Sequence, residues 1–169
     1  MKYRILVCLT IGVAPLLAAC ANPSQPLTTE PVGPVPSINS QSTRESASVG
    51  YLRVYTAREE VGDGYHDFRP YADYTILSSD GRVFRKVVNS VAYQSVGPAN
   101  VELPTGTYTV VGEGEFYSSV QIPLVIKSGQ VTLVHLDGGW TRPVANARAR
   151  DLVKLPNGEV VGWRAATAN

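Results

Sequence analysis

The chain has 169 residues, with 15 Lys+Arg against 14 Asp+Glu and 2 cysteines. This near-neutral balance lacks the electrostatic footprint of a nucleic-acid binder, and no polybasic stretch draws the chain to an anionic membrane. Two cysteines allow one bridge at most, so an apolar core must hold the fold.

Lys2 and Arg4 open the chain, and Ile5 to Leu17 is an apolar run interrupted by Thr10, Gly12 and Pro15. The run is shorter than the ~20 residues that span a bilayer as a permanent helix. Small residues Ala18 and Ala19 then precede Cys20, which is the layout of a secretory signal. The order Leu17-Ala18-Ala19-Cys20 resembles a bacterial lipobox. That resemblance implies loss of residues 1–19 and a thioether-linked diacylglycerol on Cys20, with no other cofactor. Cys8 would leave with the signal and Cys20 would be consumed by lipid. The mature chain would keep 150 of the 169 residues, with 13 Lys+Arg against 14 Asp+Glu. Two or more acyl chains anchor a protein stably where one does not. Ala21, where an Asp would resemble an inner-membrane retention signal, favours the outer membrane and the periplasm. The competing reading is an ordinary signal cut at an A-x-A-like site, with Cys20 incidental.

Residues 20–48 are rich in Pro, Ser, Thr, Gln and Asn, with Pro23, Pro26, Pro31, Pro34 and Pro36 among them. Such a composition buries too little apolar surface to offset its ordering entropy, and it predicts a disordered, partly extended tether. At ~3 Å per residue the tether would hold a domain up to several nanometres from the bilayer.

From Tyr51 onward the texture alternates with period two. Leu52, Val54 and Thr56 share one face, and Ala72, Tyr74 and Ile76 repeat the pattern. Asp80-Gly81, Ser128-Gly129-Gln130 and Pro156-Asn157-Gly158 each separate two β-rich runs and predict hairpins. Pro104-Thr105-Gly106 predicts a tight turn ahead of a strand carrying Tyr108 and Val110 into the core. Asn146 to Arg150 reads at most as a helical turn. With turns every 8–12 residues or so and no helical period, the prediction is an all-β antiparallel sandwich.

Leu103-Pro104-Thr105-Gly106-Thr107-Tyr108-Thr109-Val110, then Ile122 to Ile126 and Gly129 to Val134, resemble the recurring pattern of transthyretin-like domains. That group includes carboxypeptidase regulatory-like and PEGA-type modules. The resemblance implies one such sandwich over residues 49–137. It leaves residues 138–169 as an extension whose hairpin completes or covers a sheet edge. It carries almost no information about activity.

Side chains with chemistry concentrate in Glu59 to Arg69. Asp63, His66 and Asp67, with Glu59 and Glu60, are the candidate metal ligands, although their spacing matches no standard loop and equally fits a solvated turn. His135 has only Asp137 as a sequence-local partner. Glu113 and Glu115 sit at i, i+2, where paired carboxylates would resemble a glycosidase site but more simply mark a strand bend or bulge. Ser118-Ser119 lacks a nucleophile elbow. No nucleophile, base and orienter can be assembled, so an enzyme is not expected. Tyr51, Tyr55, Tyr65, Tyr71, Tyr93, Tyr117, Trp140 and Trp163 are candidates for an aromatic platform, or for core packing. The favoured reading is a non-enzymatic, membrane-anchored module that binds another envelope protein. Carbohydrate or peptidoglycan binding is the alternative, and a small metal-dependent hydrolase is a third reading.

Overall fold

The computed structural model describes residues 27–36, 48–58, 61–62, 67–89, 97–138, 140 and 147–166. In chain order the strands are β1 (Leu27–Thr28), β2 (Val32–Gly33), β3 (Val49–Tyr55), β4 (Val61–Gly62), β5 (Asp67–Phe68), β6 (Tyr74–Ser78) and β7 (Val83–Val87). They continue with β8 (Asn100–Pro104), β9 (Gly106–Gly114), β10 (Tyr117–Ile126), β11 (Val131–His135), β12 (Leu152–Lys154) and β13 (Val160–Arg164). A 3-10 turn spans Ala149–Asp151. Among the described residues, no helix is long and apolar enough to cross a membrane.

Among the described residues the fold is all-β and sandwich-like, with two main sheets, a separate two-stranded β4–β5 ladder and no barrel. The larger sheet runs β12-β13-β2-β10-β9-β6-β7, with β1 also paired to β10, and the smaller runs β11-β3-β8. Alternation fills the space between them. Leu52 and Val54 of β3, Ile76 of β6, Val110 of β9 and Ile122 and Leu124 of β10 all point inward and are buried. Each such aliphatic contributes roughly 1.5–3 kcal/mol over its exposed state, so packing between the sheets is what holds them together. Tyr108 is buried too, and its hydroxyl donates to the Pro104 carbonyl at 3.1 Å, a back-bond of the kind that pins corners in β-sandwiches.

The Asp80-Gly81 turn joins β6 to β7, and Pro156-Asn157-Gly158 joins β12 to β13, both as antiparallel hairpins. Ser128-Gly129-Gln130 does not make the expected hairpin. Gly129, at φ +65, donates to Val49 O at 2.8 Å, and Tyr51 N donates to Gln130 O at 2.9 Å. Backbone groups on both sides of the turn therefore bond β3, and β11 crosses to the smaller sheet and pairs parallel to β3. The hairpin that β10 does form is with β9, through Glu115-Phe116, with a bulge between Tyr117 and Val120. The sandwich is thus not purely antiparallel, since β1 and β2 also pair parallel to β10.

The largest departure from expectation lies in the Pro-rich segment. Residues 27–36, expected to belong to a disordered tether, are built into the sandwich. Val32 is 0% exposed and lies opposite Leu124 of β10, while Trp163 and Arg164 of β13 flank it on the other side. Pro34 then bridges to Thr132 and Val35 N donates to Val131 O at 3.0 Å, so the segment passes from one sheet to the other and closes that side. Composition misled because the strands are two residues long, β1 following Pro26 and β2 fitting between Pro31 and Pro34, where few ladder N–H groups are required. Pro31 contributes its carbonyl, which accepts from Ala165 N at 2.9 Å. Close approach also needs Gly162, where a Cβ would stand 2.5 Å from Val32 Cγ1. The C-terminal β12–β13 hairpin consequently joins the larger sheet through β2 and forms its edge.

Candidate functional site

Parallel register sets Tyr55 beside His135 at the last rungs of β3 and β11. Their rings stack with centroids 4.2 Å apart and planes within 6°. Trp140 stacks on the imidazole at 4.6 Å, and Trp163 meets Trp140 edge-on at 6.4 Å. Tyr71 meets Tyr55 edge-on at 5.6 Å. The Arg58 guanidinium lies 4.4 Å above the Tyr71 ring, and its Nη2 donates to the Tyr71 hydroxyl at 2.6 Å. Asp137 Oδ1 lies 3.5 Å from His135 Nδ1, both side chains being 12% exposed. Burial pushes the Tyr71 hydroxyl above the usual phenol range; Arg58 opposes this shift and Asp137 adds to it.

This tier is a packed aromatic layer at one end of the sandwich. Its stacked pairs add roughly 0.5–1.5 kcal/mol each beyond area burial. His135 and Asp137 do approach each other, as their spacing suggested. Ser118 and Ser119 line a shallow groove of about 450 Å³ on β6, β7, β9 and β10, with Asp73, Lys86 and Glu113 and no histidine. Glu115 is exposed in the β9–β10 turn and Glu113 on β9, so the two acids stand on a turn and a strand, with the bulge alongside.

Beneath the layer is a polar tie that the sequence did not signal. Asn89 is buried and uses its whole amide: Nδ2 donates to Val54 O at 2.9 Å and to Thr56 Oγ1 at 3.1 Å, and Oδ1 accepts from Ala99 N at 3.0 Å. Its backbone N–H donates to Asp73 Oδ1 at 2.8 Å, and Thr56 Oγ1 donates to Ala72 O at 2.6 Å. The network joins the ends of both sheets.

Of the proposed metal ligands, Glu59, Glu60, Asp63 and His66 lie outside the described residues, and Asp67 pairs with Gly62 in the small β4–β5 ladder. Among the described residues, no three His, Cys, Asp or Glu come together as a metal site. Cys20, Tyr65 and Tyr93 also lie outside the described residues. Tyr71 and Trp163 are buried, and Tyr55 is covered by His135.

Open apolar surface lies elsewhere. β7 ends the larger sheet, and Val83 (59%) and Phe84 (42%) on it are exposed, followed by Val88 (67%). Phe84 rests edge-on against Tyr108 at 5.3 Å. Arg85 and Lys86 are exposed between these residues and Val87. At the β9–β10 turn, Phe116 is 68% exposed.

No family model, curated protein or solved structure matches this chain.

Proposed function

We propose that this chain is a lipid-anchored protein of a bacterial envelope whose sandwich is a non-enzymatic protein-binding module, docking its partner along β7. The anchor reading rests on Leu17-Ala18-Ala19-Cys20 behind an apolar run, with the outer membrane and the periplasm as its expected setting. The finer assignment to the transthyretin-like group rests on the sequence pattern of Leu103 to Val110, Ile122 to Ile126 and Gly129 to Val134.

One observation carries the docking reading: β7 is a terminal strand with Val83, Phe84 and the adjoining Val88 all open to solvent. A sheet edge offers backbone donors and acceptors to an added strand, and alternate side chains supply selectivity. Arg85 and Lys86 favour an extended partner segment bearing acidic residues, and they discourage β7 from pairing with its own copies. Val83, Phe84 and Val88, three of the four large exposed apolar side chains among the described residues, lie on or beside this edge and form no row of aromatic faces, which favours a protein partner over a sugar.

The test is photo-crosslinking in the native envelope, with the crosslinker placed singly at Val83, Phe84 or Val88 and, as control, at Lys127. A discrete protein adduct at the three β7 positions and none at Lys127 is the expected result. Equal adducts at Lys127, or glycan adducts alone, would reject the docking edge.

A further inference from the structure

We infer that the β9–β10 turn is a second membrane contact, with Phe116 seated at the lipid–water interface of a zwitterionic bilayer; this rests on the reading of Cys20 as lipid-bearing. The direction of β1 carries the inference. Leu27 pairs with Val120 and Thr28 with Gln121, in parallel. The N-terminal end of β1 therefore faces the Tyr117 end of β10 and the turn beyond it.

Distances then limit how the sandwich stands. Six residues separate Cys20 from Leu27. Seven Cα steps reach at most ~25 Å, whatever their conformation. From Val120 back to Phe116 is four residues, or ~13 Å of strand. The leash therefore exceeds the offset of the turn by ~12 Å, enough for the turn to meet the surface. The opposite end, at Ile126, lies six residues the other way, or ~20 Å. It meets the surface only with nearly the whole leash drawn out along the domain.

Phe116 stands in the turn at the near end and is 68% exposed. One aromatic ring binds a membrane too weakly to act from solution. Held beside the bilayer by lipid, its contact becomes intramolecular, and a weak preference is enough to populate it. Charge selects the kind of surface. Glu115 borders Phe116, and the side chains of Glu115 and Glu159 both pack around Gly138. Such an acidic tip fits a zwitterionic surface and is repelled by one dense in anionic lipid.

The experiment uses the full-length lipidated chain with Phe116→Cys. Cys8 leaves with the signal and the Cys20 sulfur is in thioether linkage, so the new thiol alone accepts an environment-sensitive fluorophore. Lys127→Cys, at the opposite end, is the control. Both go into phosphatidylcholine vesicles with spin-labelled lipid, with and without a third of phosphatidylglycerol, after mass spectrometry of the N-terminal peptide. The expected result is lipid quenching at position 116 at least threefold above that at 127, diminished by the anionic lipid. With Cys20 lipidated, equal quenching at both positions, or stronger quenching at 127, overturns the orientation alone. An unlipidated Cys20 overturns the anchor reading and, with it, this orientation.

Discussion

Replacing Gly162 with Ala tests whether the Pro-rich segment is part of the fold. A Cβ there would meet Val32 Cγ1 at 2.5 Å, Leu133 O at 3.0 Å and Val32 Cγ2 at 3.1 Å. Two of these three atoms belong to a residue that would be absent if residues 27–36 were a free tether. Overpacking of this kind costs about 1–3 kcal/mol, against which the stiffer unfolded chain returns about 0.4–1. A net loss of about 1–1.5 kcal/mol is expected. Val32→Ala removes two fully buried methyl groups and leaves a cavity, costing about 2–3 kcal/mol. The same change makes room for the methyl group introduced at position 162. The double variant should therefore be more stable than the sum of the singles by about 1–2 kcal/mol, well beyond the ~0.5 kcal/mol within which independent sites add. Urea denaturation of residues 21–169 measures all three variants. Additive losses, or a neutral Gly162→Ala, would refute the docking of β2 against β13.

Asn89→Ala strands the Val54 carbonyl and the Ala99 N–H in a buried site, and should cost about 2–4 kcal/mol, or roughly 10 °C in Tm by thermal denaturation. Tyr74 is buried with no hydrogen-bond partner for its hydroxyl among the described residues, and burial holds that hydroxyl above the usual phenol range although Arg85 opposes the shift. Tyr74→Phe should therefore leave stability unchanged or raise it by about 1 kcal/mol in the same denaturation assay. The Ser78 hydroxyl, donating at 2.5 Å, and then the Arg82 N–H hold the Asp80 carboxyl below the usual carboxylate range. Its contribution is present above the unfolded carboxylate value and is lost as pH falls through the lower folded one. Ser78→Ala should move the Asp80 titration upward, as read by NMR.

Local patterns were legible where the physics is local. Alternation marked Leu52, Val54, Tyr74, Ile76 and Val110 as core, and Asp80-Gly81 and Asn157-Gly158 marked turns, because period and turn chemistry are written in neighbouring residues. Which strands pair across those turns is a long-range choice. Ser128-Gly129-Gln130 turns the chain as expected, yet β3, some 80 positions upstream, captures β11. Val32 was hidden for the same reason, since its neighbours in sequence are Pro31 and Gly33 while its neighbours in space are Leu124 and Gly162. Of the site, the His135–Asp137 approach could be read from spacing. The stacking of Tyr55, His135 and Trp140 could not, because it depends on a parallel register. Asn89 carries no local signal, and its amide acquires partners only when the two sheets close.

The most direct test of the anchored module is the mass of the N-terminal peptide from protein purified out of its own membranes, alongside a Cys20→Ala variant. The account predicts a chain beginning at Cys20 with diacylglycerol on its sulfur, and a variant that leaves the membrane fraction. An N-terminus elsewhere with an unmodified Cys20, or a Cys20→Ala protein still lipid-labelled and membrane-bound, would contradict it.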